Sequence, residues 1–136
     1  MIKKDYQCAI RVYYEDTDAG GIVYYANYLK FFERARTEWL RSLEINQSTF
    51  LEQNIGFVVT KVEMDNKASA KLDDLLNVTT SISRLKAASI VFTQQITNQD
   101  NQVLCTANIK VACVNLSIAK PLSIPKPILG ALKRVS

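Results

Sequence analysis

The chain has 136 residues, 48% of them apolar and 22% charged, with a formal net charge of +4 and a pI near 9.0. That balance belongs to a folded domain of ordinary size, and no run of about 18 apolar residues is present to cross a membrane as a helix. There is no histidine, which excludes imidazole-based triads, imidazole-activated thiols and histidine-ligated zinc or iron.

The N-terminus, Met1-Ile2-Lys3-Lys4-Asp5, is basic but leads into no apolar stretch, so no signal peptide is expected. Residues 7–14 alternate, with Cys8, Ile10, Val12 and Tyr14 on one face of a predicted strand. Residues 15–23 read as a loop, rich in acids and glycine. From about Tyr24 to Leu43 the period becomes helical. Tyr28, Phe32, Ala35, Trp39 and Leu43 form an apolar stripe that Leu29 and Leu40 widen. Residues 48–53 suit a short helical turn.

Four strand-like segments follow. Val58, Thr60, Val62 and Met64 share a face, as do Leu76, Val78, Thr80 and Ile82. Ile90, Phe92 and Ile96 share another, and so do Val103, Cys105, Ala107, Ile109, Val111 and Cys113. Asn98-Gln99-Asp100-Asn101 reads as a hairpin turn between the last two. Residues 120–127 hold three prolines and cannot form a central strand. The tail from Ile128 to Ser136 is expected to form a short basic helical turn or to fray. One long helix and five strands in mostly hairpin order imply an α+β domain over residues 1–136, with the helix across an antiparallel sheet. A single helix leaves part of such a sheet uncovered, so an oligomer is expected.

Cys8, Cys105 and Cys113 are odd in number and far apart, which argues against a disulfide framework or a zinc site and favours a reducing cytoplasm. Basic residues are scattered, so nucleic acid is not expected. The positive charge suits solubility or a polyanionic ligand such as a nucleotide or a phosphopantetheine carrier. Neither GxxxxGK[ST] nor GxGxxG occurs. What remains is carboxylate chemistry or none.

The segment Glu15-Asp16-Thr17-Asp18-Ala19-Gly20-Gly21-Ile22-Val23-Tyr24-Tyr25 concentrates that chemistry. Asp18 stands a few residues before a helix start, with glycines that let a ligand come close to the backbone. The first helical N–H groups have no intrahelical partner and carry partial positive charge. A carbonyl oxygen held there would be polarised, and Asp18 could attack the carbon or activate a water. The same aspartate could equally be a cap or turn residue. Glu15 and Asp16 read as structural, and Tyr24, Tyr25 and Tyr28 as packing residues.

The run from Tyr14 to Tyr28, followed by Phe32-Glu33-Arg34-Ala35-Arg36, resembles the signature of hotdog-fold acyl-CoA thioesterases. It is most similar to the YbgC type, associated with the Tol-Pal system, and to 4-hydroxybenzoyl-CoA thioesterases. The similarity continues through Ala70–Leu76, Ser89–Gln94 and Lys120-Pro121. The resemblance implies a five-stranded antiparallel sheet wrapped around a long helix, in a homodimer or homotetramer with sites between subunits. It implies Asp18 as the catalytic carboxylate and the Tyr25 backbone N–H as the carbonyl's partner. YbgC-type chains often carry His where Tyr25 stands, a departure that bears on substrate preference. Arg84, Lys86 and Ser89 lie where related enzymes approach the CoA phosphates. The substrate implied is an acyl-CoA or an acyl carrier protein thioester, with no cofactor and no metal. A dehydratase of the same fold would need a histidine. The alternative of another class is a non-catalytic, envelope-associated scaffold that binds acyl carrier protein. Lys126, Lys133 and Arg134 are too few to anchor the tail in a membrane.

Overall fold

The computed structural model describes residues 4–136; the leader reading, where it concerns Met1–Lys3, lies outside the described residues. Strand β1 is Asp5–Arg11, and it stops short of the expected Tyr14 because residues 14–16 tighten into a 3₁₀ turn. Tyr14 is therefore not on the buried face with Ile10 and Val12 but 82% exposed. A second 3₁₀ turn, Tyr25–Asn27, feeds α1, Tyr28–Ser42. The helix thus begins one turn later than its apolar period suggested.

Helix α2, Gln47–Glu52, fulfils the expected short turn and is capped by Asn46, whose side chain accepts the Ser48 N–H at 3.1 Å. Four strands complete the main sheet: β2 Ile55–Asn66, β3 Leu75–Leu85, β4 Ser89–Thr97 and β5 Val103–Asn115. They pair antiparallel with β1 in the order β1-β3-β4-β5-β2. The expected 98–101 turn joins β4 to β5. Asn98 Oδ1 accepts the Asp100 and Gln102 amides there, and Asn101 takes a left-handed φ of 61°.

A sixth strand was not expected. Lys120–Pro121, β6, pairs with β5 at Val114 and Asn115, beyond Ala112, which pairs with Ser89 at the start of β4. Pro121 is tolerated because this is a two-residue pairing at the sheet margin. The tail also differs from expectation. Lys126–Val135 is a full helix, α3, with Pro127 in its first turn and Ile128, Ala131, Leu132 and Val135 buried. Its apolar residues recur at helical spacing, and this packing outweighs the tendency of a terminus to fray.

Helix α1 lies against β1 and β3. Tyr28, Phe31, Phe32, Ala35, Trp39 and Leu40 are buried, and Trp39 packs its ring between Tyr6 and Phe92 at 6.3 Å from each. Leu29 does not widen the stripe; it is 37% exposed. One polar side chain enters from each layer. Gln94 occupies an inward slot of β4 and donates to Phe32 O at 3.0 Å and Thr80 Oγ1 at 2.8 Å. Its Oε1 accepts from Arg36. This curled antiparallel sheet around a central helix is the hotdog fold that the resemblance implied.

Strand β2 departs most from its pattern. Among the described residues it pairs only with β5, leaving one edge free, and Val58, Val59 and Val62 are all at least 39% exposed. A bulge between Val59 and Lys61 interrupts the alternation.

Leu132→Ala removes a fully buried side chain from α3 and should lower stability by about 2–5 kcal/mol. A urea denaturation series checks this; no change in midpoint would mean that α3 adds nothing to the core.

Candidate active site

Asp16 and Asp18, two residues apart, take opposite roles. Asp16 is 6% exposed. Its Oδ2 accepts the Tyr13 N–H at 2.9 Å and its Oδ1 accepts Asn27 Nδ2 at 2.8 Å. The Asp16 carbonyl takes the Tyr24 N–H at 3.3 Å. This carboxylate is structural, as its sequence context suggested, and it clamps the loop onto the first turn of the helix.

Asp18 is exposed on the single chain. The loop that carries it is a small hairpin, with Thr17 bridged to Val23 and Asp18 N–H donating to Ile22 O at 3.0 Å. Gly21 N–H closes the turn on Asp18 O at 3.1 Å, and Gly21 holds a left-handed φ of 75°. Gly20 N–H donates to Asp18 Oδ1 at 2.8 Å, which fixes the carboxylate while Oδ2 has no partner among the described residues. A methyl group on Gly20 would come within 3.3 Å of that Oδ1.

A third segment braces this loop. Ala70 O accepts Val23 N–H at 2.8 Å, Lys71 bridges Ile22, and Leu72 N–H reaches Gly21 O at 3.1 Å. The Tyr28 hydroxyl accepts the Ala70 N–H at 2.9 Å from the start of α1. Tyr28 is thus a packing residue with a polar duty, and burial raises its pKa against the lowering effect of that amide.

Tyr24 and Tyr25 do not pack into the core as expected. They are 54% and 56% exposed, with rings tilted against each other at 5.0 Å. The backbone behind them matters more. The Tyr25 and Ala26 amides open the helical turn and have no acceptor among the described residues. The fold-back therefore places Asp18 beside Ile22, three residues before a pair of free N–H donors.

Arg84, Lys86 and Ser89 come together, away from this loop in sequence, around the β3–β4 turn, where Lys86 N–H donates to Ser89 O at 2.9 Å. They line a cleft of about 240 Å³ with Lys61, Glu63 and Lys110. Sequence reading missed Lys61 and Lys110. Strand register unites them, for Lys61 stands opposite Lys110, Lys110 opposite Val91, and Val91 opposite Arg84. A bulge immediately precedes each of the outer two cations, between Val59 and Lys61 and between Ile82 and Arg84. Lysines directly opposite repel, and among the described residues lining the cleft only Glu63, 2.9 Å from Lys61, offsets the row.

The cysteines offer no nucleophile. Cys105 and Cys113 are buried, and burial pushes the Cys105 thiol up to about 11, with Asp65 adding to the rise. Among the described residues no three His, Cys, Asp or Glu side chains are grouped to hold a metal ion, and no helix is long and apolar enough to cross a membrane.

Asp16→Ala would strand the buried Asn27 amide and the part-buried Tyr13 N–H and is expected to cost about 1–3 kcal/mol, whereas exposed Glu15→Ala should stay within about 0.5 kcal/mol. Paired urea melts of the two variants test this, and equal midpoints would remove the clamp.

Residues 12–132 match the family model described as "Thioesterase-like superfamily". The chain is 49% identical to an acyl-CoA thioesterase YbgC of Haemophilus influenzae, over 96% of each chain. It is 45% identical to an acyl-CoA thioester hydrolase YbgC of Escherichia coli, over 92% of this chain and 93% of that one. In three dimensions it superimposes on a 1,4-dihydroxy-2-naphthoyl-CoA thioesterase of Synechocystis with a TM-score of 0.89, covering 95% and 96% of the two chains at 24% identity, a likeness of fold. The chain therefore belongs to the thioesterase-like superfamily as a thioester hydrolase of the YbgC type.

Proposed function

We propose that the chain hydrolyses acyl-CoA thioesters at a site completed by a second copy, with Asp18 as the acting carboxylate and the Tyr25 amide as the carbonyl's partner. The observation that carries this is the hairpin pairing of Asp18 with Ile22, which brings the acid back beside the residues that lead into the helix start. A thioester carbonyl oxygen set against the Tyr25 and Ala26 amides would be polarised by donors with no other partner. As water or the carboxylate adds, negative charge grows on that oxygen, where those donors and the end of the helix dipole stabilise it. Asp18 Oδ1 is fixed by Gly20, and Oδ2 is free to take a proton from water or to attack the carbonyl carbon. The CoA thiolate then leaves and takes up the proton released from water; on the direct-attack route water afterwards cleaves the acyl-aspartyl anhydride, freeing the acid and restoring Asp18. No cofactor enters these steps.

The cation row supports CoA as the carrier. Lys61, Lys110, Arg84 and Lys86 face one cleft with a single acid, an arrangement that is self-repelling until a polyanion occupies it. CoA brings several phosphate charges, whereas a protein-bound pantetheine brings one. Ser89 adds a hydroxyl at the same cleft.

The free edge of β2 supports the second copy. An unpaired twelve-residue edge with exposed valines invites pairing with itself, since a two-fold axis makes antiparallel partners of identical strands. The reading is a homodimer, able to pair again into a tetramer, working as one domain per chain in the cytoplasm.

Asp18→Asn is expected to cut thiol release from acyl-CoAs by about 10²–10⁴-fold with an unchanged melting profile. Near-normal turnover on a panel of acyl-CoAs would remove Asp18 from its role. If the wild type released no thiol yet bound acyl carrier protein, the hydrolytic reading itself would fall. Val59→Asp places a charge on the β2 edge and should shift the protein to monomer in light scattering with loss of activity; an active monomer would exclude a shared site.

A further inference from the structure

Arg36 carries a positive charge beneath α1 and forms no ion pair among the described residues, the exposed Glu33 one turn earlier being the carboxylate that acts on it. It is 8% exposed, and its side chain makes one hydrogen bond among the described residues, Nη1 to Gln94 Oε1 at 3.0 Å. The ion pairs among those residues join Arg41 to Glu38, Lys61 to Glu63 and Lys67 to Asp65, leaving Arg36 out. A guanidinium offers five N–H donors, so most of them have no protein acceptor. A buried charge is normally paired.

These free donors are not sealed in the core. No fully buried side-chain nitrogen among the described residues lacks a partner, so the unbonded nitrogens of Arg36 must reach open space. Arg36 lines a cleft of about 150 Å³ between α1 and β2. Leu40, Phe57, Ile90 and Phe92 form apolar walls, and the Arg36 guanidinium stands 5.9 Å over the Phe92 ring. Glu33, exposed and one turn before Arg36, lines the same cleft. At roughly 30 Å³ per water-sized group, the cleft holds about five such groups.

Its position along the helix suits a substrate's far end. Gln94 ties Arg36 to the carbonyl of Phe32, so the guanidinium sits about a turn nearer the helix start than its own Cα. From Phe32 to Tyr28 is one further turn, about 6 Å. Val59, on the free edge of β2, closes one side, so a second copy paired at β2 would cover the opening.

We infer that this cleft receives the distal end of the acyl group and that Arg36 and Glu33 together select a hydroxyl there. The inference rests on the hydrolase reading above. A hydroxyl accepts from Arg36 and donates to Glu33, satisfying both. A methyl end leaves the guanidinium donors unpaired. A carboxylate end satisfies Arg36 but faces the charge of Glu33. Arg36 and Glu33 are thereby specificity-determining residues, remote from the thioester itself.

The test is thiol release from three CoA esters of matched length: hexanoyl, ω-hydroxyhexanoyl and adipoyl. The wild type should favour the hydroxy ester over each of the others by at least about tenfold in kcat/KM. Arg36→Leu and Glu33→Ala should each bring the hydroxyl-to-methyl ratio to within about twofold of one. Glu33 is exposed, so Glu33→Ala reads the ratio in a folded protein even where Arg36→Leu fails to fold. A wild-type ratio near one with normal hexanoyl turnover overturns this inference alone, and so does a high ratio that survives either folded variant. No release from any of the three esters overturns the hydrolase reading and this one with it.

Discussion

The candidate site depends on one buried carboxylate. Asp16 accepts from Tyr13 on one side and from Asn27 on the other, and so ties the end of the first strand's excursion to the first turn of the helix. Because that tie is made from inside, the neighbouring hairpin is presented outward, with Asp18 at its base and glycines at its turn. A buried carboxylate with two good donors is stable only while both remain. The position of the loop relative to the helix start is therefore fixed by a residue that itself touches no ligand. The Ala70 segment adds a second brace through Val23 and Tyr28.

The sheet imposes the other constraint. One helix covers β1 and β3 well, but β2, at the far margin, is largely exposed and has no strand along its outer edge among the described residues. The exposed valines, the open cleft beside Arg36 and the exposed Asp18 all lie where the chain's own elements leave side chains uncovered. A second copy joined at β2 would change the environment of the first two directly.

Charge is arranged by register. Scattered lysines and an arginine, unremarkable along the chain, become a row across four strands because two bulges re-aim the side chains at its ends. The same strands bury Gln94 facing inward, where it organises Arg36, Thr80 and the Phe32 carbonyl. One layer of the sheet thus sorts polar groups into an outer cationic cleft and an inner network under the helix.

Much of this was legible in the sequence, because it rests on local periodicity and turn chemistry. The strand alternations at 76–82, 90–96 and 103–113, the Asn98 turn, the α1 stripe and the acid-glycine hairpin all follow from side-chain period and backbone preference. The missing histidine ruled out whole mechanisms without any coordinates. The rest was decided by contacts distant in the chain. Asp16 reads as structural and Asp18 as the candidate acid in sequence, but only the fold shows what Asp16 clamps, the Tyr13 amide and the Asn27 side chain. Lys61 and Lys110 become neighbours only through register, and the α3 tail becomes a helix because the core accepts its apolar face. Tyr24 and Tyr25 look like packing residues until the helix start is fixed one turn later. Local pattern determines which faces exist; tertiary packing determines which of them are covered, and the functional groups lie where the cover stops.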